Sequence, residues 1–441
     1  MRILYFTGYA SSHIIPLIST IKYLSLQKNV EILLYVTEKN KPICQELNLT
    51  YIVYPEHYWD AKLKEESKKY DNLINEEYKK RNFDKMLYYI YKQDAMLAFN
   101  YDLSSLKEIK QEIERVAPDV VFRDSTDIYW KYLEKTFPNI KTIGYITNNL
   151  YSIDYLNKNK DMLSYYLGVN DILHLISDSF LDHYWDYINR IYDDIQKDYN
   201  VLPINPHFQF DPNEDNNIIY TLDFLQPMDA HLEKKSILIG PSEENFILET
   251  EIPTSLISFI ADNQIIYLSS GSFISRNLEF YKFILPKLIK LNYKIVISAG
   301  NTADELKAYC SSCNYTSNVY VDNKIPQKYV LTKAVCFISS GGMNSIKEAI
   351  YYKVPMFIIP ISCEQRLNGI LLQKMNIGKT SMWNKAYLMN FSDTIRDLIN
   401  DKKIKNNLLV LSNNIKEKIR DNYNESSYKQ IWGIINANRN N

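Results

Sequence analysis

Ser340-Gly341-Gly342 closes an apolar run, "AVCFISS", and opens a helical pattern, "MNSIKEAI". In open α/β sheets, ligands bind outside the carboxyl ends of the strands, and a strand-to-helix junction lies at such an end. Glycine there lets a ligand approach the backbone closely. The helix N-terminus offers unpaired N–H groups and a partial positive charge. Together they make an anion site, most naturally for phosphate, with Asn344 and Ser345 as added side-chain donors. A plainer reading stands beside it. Ser345-x-x-Glu348 has the form of a capping box, in which both side chains only tie off the start of the helix.

The elements that must position these residues alternate along the chain. "RILYF" (2–6), "VEILLYVT" (30–37), "PDVVFRD" (118–124) and "KTIGYIT" (141–147) read as strands separated by helical patterns. A second series runs through "IIYLSSGS" (265–272), "YKIVISAG" (293–300), "NVYVDN" (318–323), "AVCFISS" (334–340) and "VPMFIIP" (354–360). Strands alternating with helices imply an α/β fold with parallel sheets. With 441 residues the chain is too long for one core, and two doubly wound domains are expected, joined near 226–245. Helix-rich insertions occupy about 56–115 and 148–200. The second is dense in aromatics, which read as core packing or as the wall of an apolar pocket.

Composition narrows the function classes. A net charge of −1 gives no argument for nucleic acid or an anionic membrane as the main partner. No apolar run approaches the roughly 18 residues of a membrane span, and the N-terminus reads as a core strand rather than a signal peptide. Five cysteines, an odd and sparse set, fit a reducing cytoplasm. Cys310-Ser-Ser-Cys313 lacks a second pair at zinc-site spacing.

The residues after Gly342 sharpen the phosphate reading. "GGMNSIKEAIYYKVPMFIIPISCEQRLN" carries Glu348, Val354-Pro355, Pro360, Glu364-Gln365 and Asn368. Identity and spacing resemble the donor-binding signature of glycosyltransferase family 1, the nucleotide-sugar glycosyltransferases of GT-B fold, over about forty residues. "KIPQKYVL" (324–331), "YLSSGS" (267–272) and "ILIGP" (237–241) resemble further segments of that family, in the flavour of its bacterial macrolide and flavonoid branch. The resemblance implies two Rossmann-like domains facing a cleft: an acceptor domain over 1–230 and a donor domain over 231–414, with a terminal helix at about 415–441 packing back on the first. It implies that Gly341, Gly342, Asn344 and Ser345 meet the diphosphate and Glu348 the ribose. Gln327 and the backbone at Ile325 would meet base or ribose. Glu364 and Gln365 would hold the transferred sugar, and Ser272 would approach from the other side. Ser340 stands where the family has a histidine that donates to the diphosphate, Lys324 where many members have a stacking tryptophan, and Lys379 where a small residue is common.

Inverting sugar transfer needs a base for the acceptor hydroxyl. Of six histidines, His13 follows the first strand at the start of a helix, in "SHIIP", which resembles the family's Gly-His-x-x-Pro segment with Ser12 in place of glycine. A carboxylate on its other nitrogen would fix the tautomer; Asp124 matches the family's partner, with Asp127 the nearby second choice. No Asp-x-Asp metal–diphosphate motif occurs in the chain, so no metal and no cofactor are expected. The expected enzyme is thus a cytoplasmic hexosyltransferase, monomer or homodimer, moving a sugar from UDP-sugar, or dTDP-sugar, to an apolar small molecule. The alternatives are a catalytically weak binding relative and a nucleotide-sugar epimerase of the same fold.

Overall fold

The computed structural model describes residues 1–8, 11–55, 69–98, 103–168, 176, 183–199, 211–212, 214–227, 235–249, 251–269, 276–383 and 388–437. The chain divides into two compact units. One comprises Met1–Ser164, Val169–Ile239 and Ser426–Asn441; the other comprises Tyr165–Gly168 and Gly240–Glu425.

The first unit is built on β1 (Arg2–Phe6), β2 (Glu31–Val36), β3 (Tyr51–Val53), β4 (Val120–Asp124), β5 (Lys141–Ile146), β6 (Asn216–Ile219) and β7 (Lys235–Leu238). They form one parallel sheet in the order β3-β2-β1-β4-β5-β6-β7. The continuous apolar run of β1 follows from burial on both faces. Ile3 and Tyr5 join Ile14, Leu17 and Ile21 on one side. Leu4 and Phe6 join Tyr35, Val121 and Trp130 on the other. Because successive strand residues point to opposite faces, each face collects every second residue. The helix Asn424–Asn436 supplies Ile431, Ile434 and Ile435 to the Ile3–Tyr5 side. Ser427 donates to the Leu238 carbonyl (2.9 Å), and Tyr428 stacks on Tyr23 (5.1 Å between centroids).

The second unit repeats the plan with β8 (Ile265–Ser269), β9 (Lys294–Ser298), β10 (Val319–Asp322), β11 (Ala334–Ser339), β12 (Met356–Ile358) and β13 (Gly378–Thr380), in the order β10-β9-β8-β11-β12-β13. All its neighbours are parallel. In each sheet the chain order reverses at one place: between β1 and β4 in the first, between β8 and β11 in the second. The carboxyl ends of those strand pairs open the crevice where α/β proteins bind ligands.

The units differ from the division expected at 230/231 and about 415. β7 lies past residue 230 yet pairs with β6 of the first sheet, from Asn216↔Lys235 to Ile219↔Leu238. The helix Lys402–Arg420 stays with the second unit, where Ser412 Oγ donates to the Tyr351 carbonyl (2.6 Å) and Lys416 lies over the Tyr351 ring. Among the described residues no helix is long and apolar enough to cross a membrane. Cys310 and Cys313 are both free thiols, and burial pushes Cys310 up to about 11, so it is protonated and unreactive at neutral pH.

Candidate functional site

In the first unit the order reversal brings two loops together. β1 pairs with β4 as far as Phe6↔Arg123, so the residues leaving both strands are neighbours. His13 lies in the short 3-10 turn after β1 and Asp124 is the last residue of β4. His13 Nδ1 and Asp124 Oδ2 are 2.9 Å apart, and the Thr147 hydroxyl lies 3.4 Å from the same nitrogen. The Asp124 side chain is 0% exposed and the His13 side chain 25% exposed. The carboxylate is sealed while the imidazole keeps an edge toward solvent. Asp124 Oδ1 accepts from the Thr126 N–H (2.8 Å) and hydroxyl (2.6 Å). Burial alone would raise the Asp124 pKa. The charge and hydrogen bond of His13 and the two Thr126 bonds outweigh it and leave the carboxyl below its ordinary value. An ionised Asp124 accepts only, so Nδ1 carries the proton and Nε2 of the neutral ring carries none.

Asp127, the second choice, does other work. It accepts from the Trp130 N–H (2.9 Å) at the start of the helix Tyr129–Leu133 and from the Tyr54 hydroxyl (3.5 Å). Its complete burial pushes its pKa up to about 7. Beneath this turn lies a buried Arg123. Its Nη1 donates to the carbonyls of Asp124 (3.1 Å) and Asp127 (3.2 Å), and its Nε to Glu214 Oε1 (3.0 Å). That ties the loop to the sheet from below.

Gly8 completes the arrangement. A Cβ on Gly8 would come within 2.7 Å of His13 Nδ1 and 2.8 Å of Thr126 Oγ1, so the ring sits directly over its backbone. Sequence reasoning missed Gly8, Thr126 and Thr147. Gly8 carried a signal: one of only 11 glycines, it stands two residues past an apolar strand.

In the second unit the residues leaving β11 form the Gly-Gly turn. Gly341 has φ +93, a conformation that favours glycine, and its Cβ would meet Ile358 Cγ2 at 2.8 Å. Its N–H donates to Ser339 Oγ (3.1 Å), and its carbonyl accepts from Asn368 Nδ2 (3.0 Å). Gly342 is the N-cap of the helix Met343–Tyr351, supplies no side-chain cap, and has nothing within 4 Å of its Cβ position. The turn is therefore rigid at Gly341 and open above Gly342. Ser340 is 4% exposed, and its hydroxyl makes no hydrogen bond with the described residues.

The capping box does not form. Ser345 Oγ (3.1 Å) and Glu348 Oε2 (2.7 Å) both accept from Gln327 Nε2, while Gln327 Oε1 accepts from the Tyr267 hydroxyl (3.3 Å). Gln327 begins the helix Gln327–Leu331, whose Lys328 and Tyr329 N–H groups are held by the Glu249 carboxylate (3.2 Å each). So Gln327, Ser345 and Glu348 come together, on two helices flanking β11. Burial pushes Glu348 up to about 7 against the pull of Gln327 and Lys328. Ile325 is buried just before that helix.

Asn344 lies in the first turn of Met343–Tyr351. Glu364 and Gln365 open the helix Cys363–Lys374, and here a capping box does form. The Ser362 and Ile361 N–H groups donate to Gln365 Oε1 (3.3 and 2.8 Å), which leaves its Nε2 as a donor. Ser272 lies outside the described residues. Asn368, quoted in the motif without a role, sets the Gly341 carbonyl; Tyr267 and Glu249 gave no sequence signal.

Two units, each a parallel sheet with one reversal of strand order, make this a two-domain α/β protein. Residues 256–420 match the family described as UDP-glucoronosyl and UDP-glucosyl transferase. The chain is 30% identical over 185 residues to "Uncharacterized UDP-glucosyltransferase YdhE" of Bacillus subtilis (strain 168), covering 42% of this chain and 45% of that protein. It is 24% identical over 329 residues to "NDP-glycosyltransferase YjiC" of the same organism, covering 74% and 76%. The chain spans about half the length of the first curated relatives it matches. Medicago truncatula UGT71G1, solved complexed with UDP-glucose, superposes with a TM-score of 0.66 at 15% identity, over 99% of this chain and 98% of that one. The glycotransferase of kitacinnamycin superposes at 0.62 and 18%, over 97% and 98%. The chain is thus similar to that family over residues 256–420, and its fold is the GT-B fold of these solved structures.

Proposed function

We propose that this chain transfers a sugar from a nucleoside-diphosphate sugar, UDP-sugar before dTDP-sugar, to a hydroxyl of an apolar small molecule, with inversion. The observation that carries the reading is the His13–Asp124 pair, 2.9 Å apart with the carboxylate sealed and the ring accessible. His13 Nε2 takes the hydroxyl proton as the oxygen forms its bond to the anomeric carbon. The bond from that carbon to the diphosphate oxygen breaks, and its electron pair leaves with the nucleotide. Asp124 steadies the imidazolium through Nδ1–H.

The second unit takes the leaving group. Gly342 and the helix behind it offer the diphosphate N–H groups and dipole charge, so the reaction as proposed uses no metal ion. Gln327 and Glu348 receive base and ribose, Gln365 Nε2 and Glu364 the transferred sugar. The aromatic helices of the first unit, Ile153–Lys158 and Tyr184–Tyr199 among them, supply an apolar acceptor surface.

Calorimetry with UDP and dTDP, followed by nucleotide release with and without candidate acceptors, tests this. UDP binding and acceptor-dependent release are expected. If neither nucleotide binds at millimolar concentration, the transferase reading is wrong. Binding with release that ignores the acceptor points to a binding relative or a hydrolytic side activity instead.

A further inference from the structure

Arg276 follows the exit of β8 and immediately precedes the helix Leu278–Ile289, whose N-cap is Asn277. Its backbone carbonyl accepts from Thr302 Oγ1 (2.7 Å), and its guanidinium lies over the Phe280 ring (4.9 Å to the centroid). Among the described residues Nη2 alone makes its polar side-chain contacts, to the carbonyls of Ile359 and Pro360, the latter at 3.3 Å. Nε and Nη1 remain as donors. Among the described residues no carboxylate pairs with it, and burial pulls its pKa down to about 10. A partly buried cation held, among the described residues, by neutral carbonyls and a ring is costly unless an anion is brought to it.

Its place in the sheet says where that anion would sit. β8 and β12 are separated only by β11. A side chain that starts beyond β8 and ends on the carbonyls beyond β12 crosses the carboxyl end of β11. That strand runs straight into Ser340-Gly341-Gly342. The same β12 exit is fastened to the turn from below: Ile359 N–H donates to the Ser339 carbonyl (2.8 Å), and Ile358 fills the space under Gly341.

We propose that Arg276 is a donor-binding residue whose free N–H groups hold the diphosphate of a nucleoside-diphosphate ligand at the Gly341–Gly342 turn. This rests on the nucleotide-sugar reading above. Ser340 offers that turn only a short neutral hydroxyl, so the fixed charge comes from Arg276, across the strand end. With Nη2 committed to the two carbonyls, the Nε–H and Nη1–H groups point apart and each donates singly to phosphate oxygens, beside a fixed positive charge.

The test compares UDP, UMP and uridine on the full chain by calorimetry or ligand-observed NMR, with thermal melts of each variant. Arg276→Gln is expected to weaken UDP by about tenfold to a hundredfold, the range for losing a charged hydrogen bond, with UMP less affected and uridine unchanged. Arg276→Lys keeps the charge and loses the separate Nε–H and Nη1–H donors, so it is expected to weaken UDP severalfold, again without touching uridine. It also decides the matter should Arg276→Gln not fold. UDP and uridine weakening in parallel would mean that Arg276 only braces the β12 exit, and the proposal is then overturned. Undiminished UDP affinity overturns it as well. Wild-type protein that binds none of the three removes the nucleotide reading itself, a result distinct from either.

Discussion

The two units use one strand order and one reversal point, yet fill them with opposite chemistry. At the β1/β4 reversal the chain places a histidine over a glycine and a sealed, ionised carboxylate beside it. At the β8/β11 reversal it places two glycines, a helix with no side-chain cap and a glutamine-centred cluster. On the proposed reading the first arrangement would move a proton and the second would receive charge. The difference lies in which groups are left for a ligand. In the first unit the backbone is covered, by His13 above Gly8, and the imidazole side chain keeps 25% of its surface exposed. In the second the side chains satisfy one another, and the backbone above Gly342 is exposed.

The largest effects should break the first half without disturbing the second. His13→Ala is expected to lower kcat about a thousandfold while UDP affinity stays at the wild-type value, as removal of a general base should. Transfer at a normal rate in that variant would show that the proton leaves by another route. Asp124→Asn keeps the shape but makes the neighbour of Nδ1 neutral. A loss of about a hundredfold is expected, with the pH midpoint of kcat/KM moved down because the imidazolium is no longer steadied. Unchanged pH dependence would reduce Asp124 to a structural role.

The glycines test the second half, with a smaller effect. Gly341→Ala forces a side chain into φ +93 and within 2.8 Å of Ile358 Cγ2. It is expected to cost about 1–3 kcal/mol in denaturant unfolding, and UDP affinity with it. Gly342→Ala sits at φ −66 with nothing within 4 Å, so the fold should lose no more than about 1 kcal/mol. UDP affinity should still fall, because the methyl occupies ligand space. Wild-type affinity in Gly342→Ala would mean that the open space is not where the diphosphate lies.

What could be read from the sequence follows the same divide. Strands buried on both faces announced themselves as continuous apolar runs, and β1, β4, β8 and β11 were legible for that reason. β3, β6 and β13 were not: "YIV", "NNII" and "GKT" are too short or too polar to stand out, and pairing partners create them. Motif spacing marked the Gly-Gly turn, but not that Gln327 would take up Ser345 and Glu348. The capping-box pattern is local, whereas the bond that displaces it spans eighteen residues. His13 and Asp124 are 111 positions apart, and only the sheet order makes them neighbours. Thr126 and Thr147 matter solely through that geometry.

Glu348 gives the smallest of these effects and the sharpest contrast with Asp124. Asp124 has its folded pKa lowered, so its contribution to stability is present above the ordinary aspartate value and is lost as the pH falls through the folded one. Glu348 is raised, by burial first, to about 7. Between its ordinary value and 7 the folded protein therefore holds a proton there that the unfolded chain has released. Stability should fall as the pH rises through that window, by about 1 kcal/mol once partial solvent access at Glu348 is discounted. Glu348→Gln, which keeps the Gln327 contact without the charge, should flatten that stretch of the urea-unfolding profile and leave the acid limb set by Asp124 in place. Saturating UDP should flatten it too if the ribose hydroxyls hydrogen-bond to the ionised carboxylate, because the ligand then stabilises the form that burial disfavours. A profile that keeps its slope in Glu348→Gln would assign the pH dependence to another group and leave the cluster around Gln327 a packing feature of the second unit.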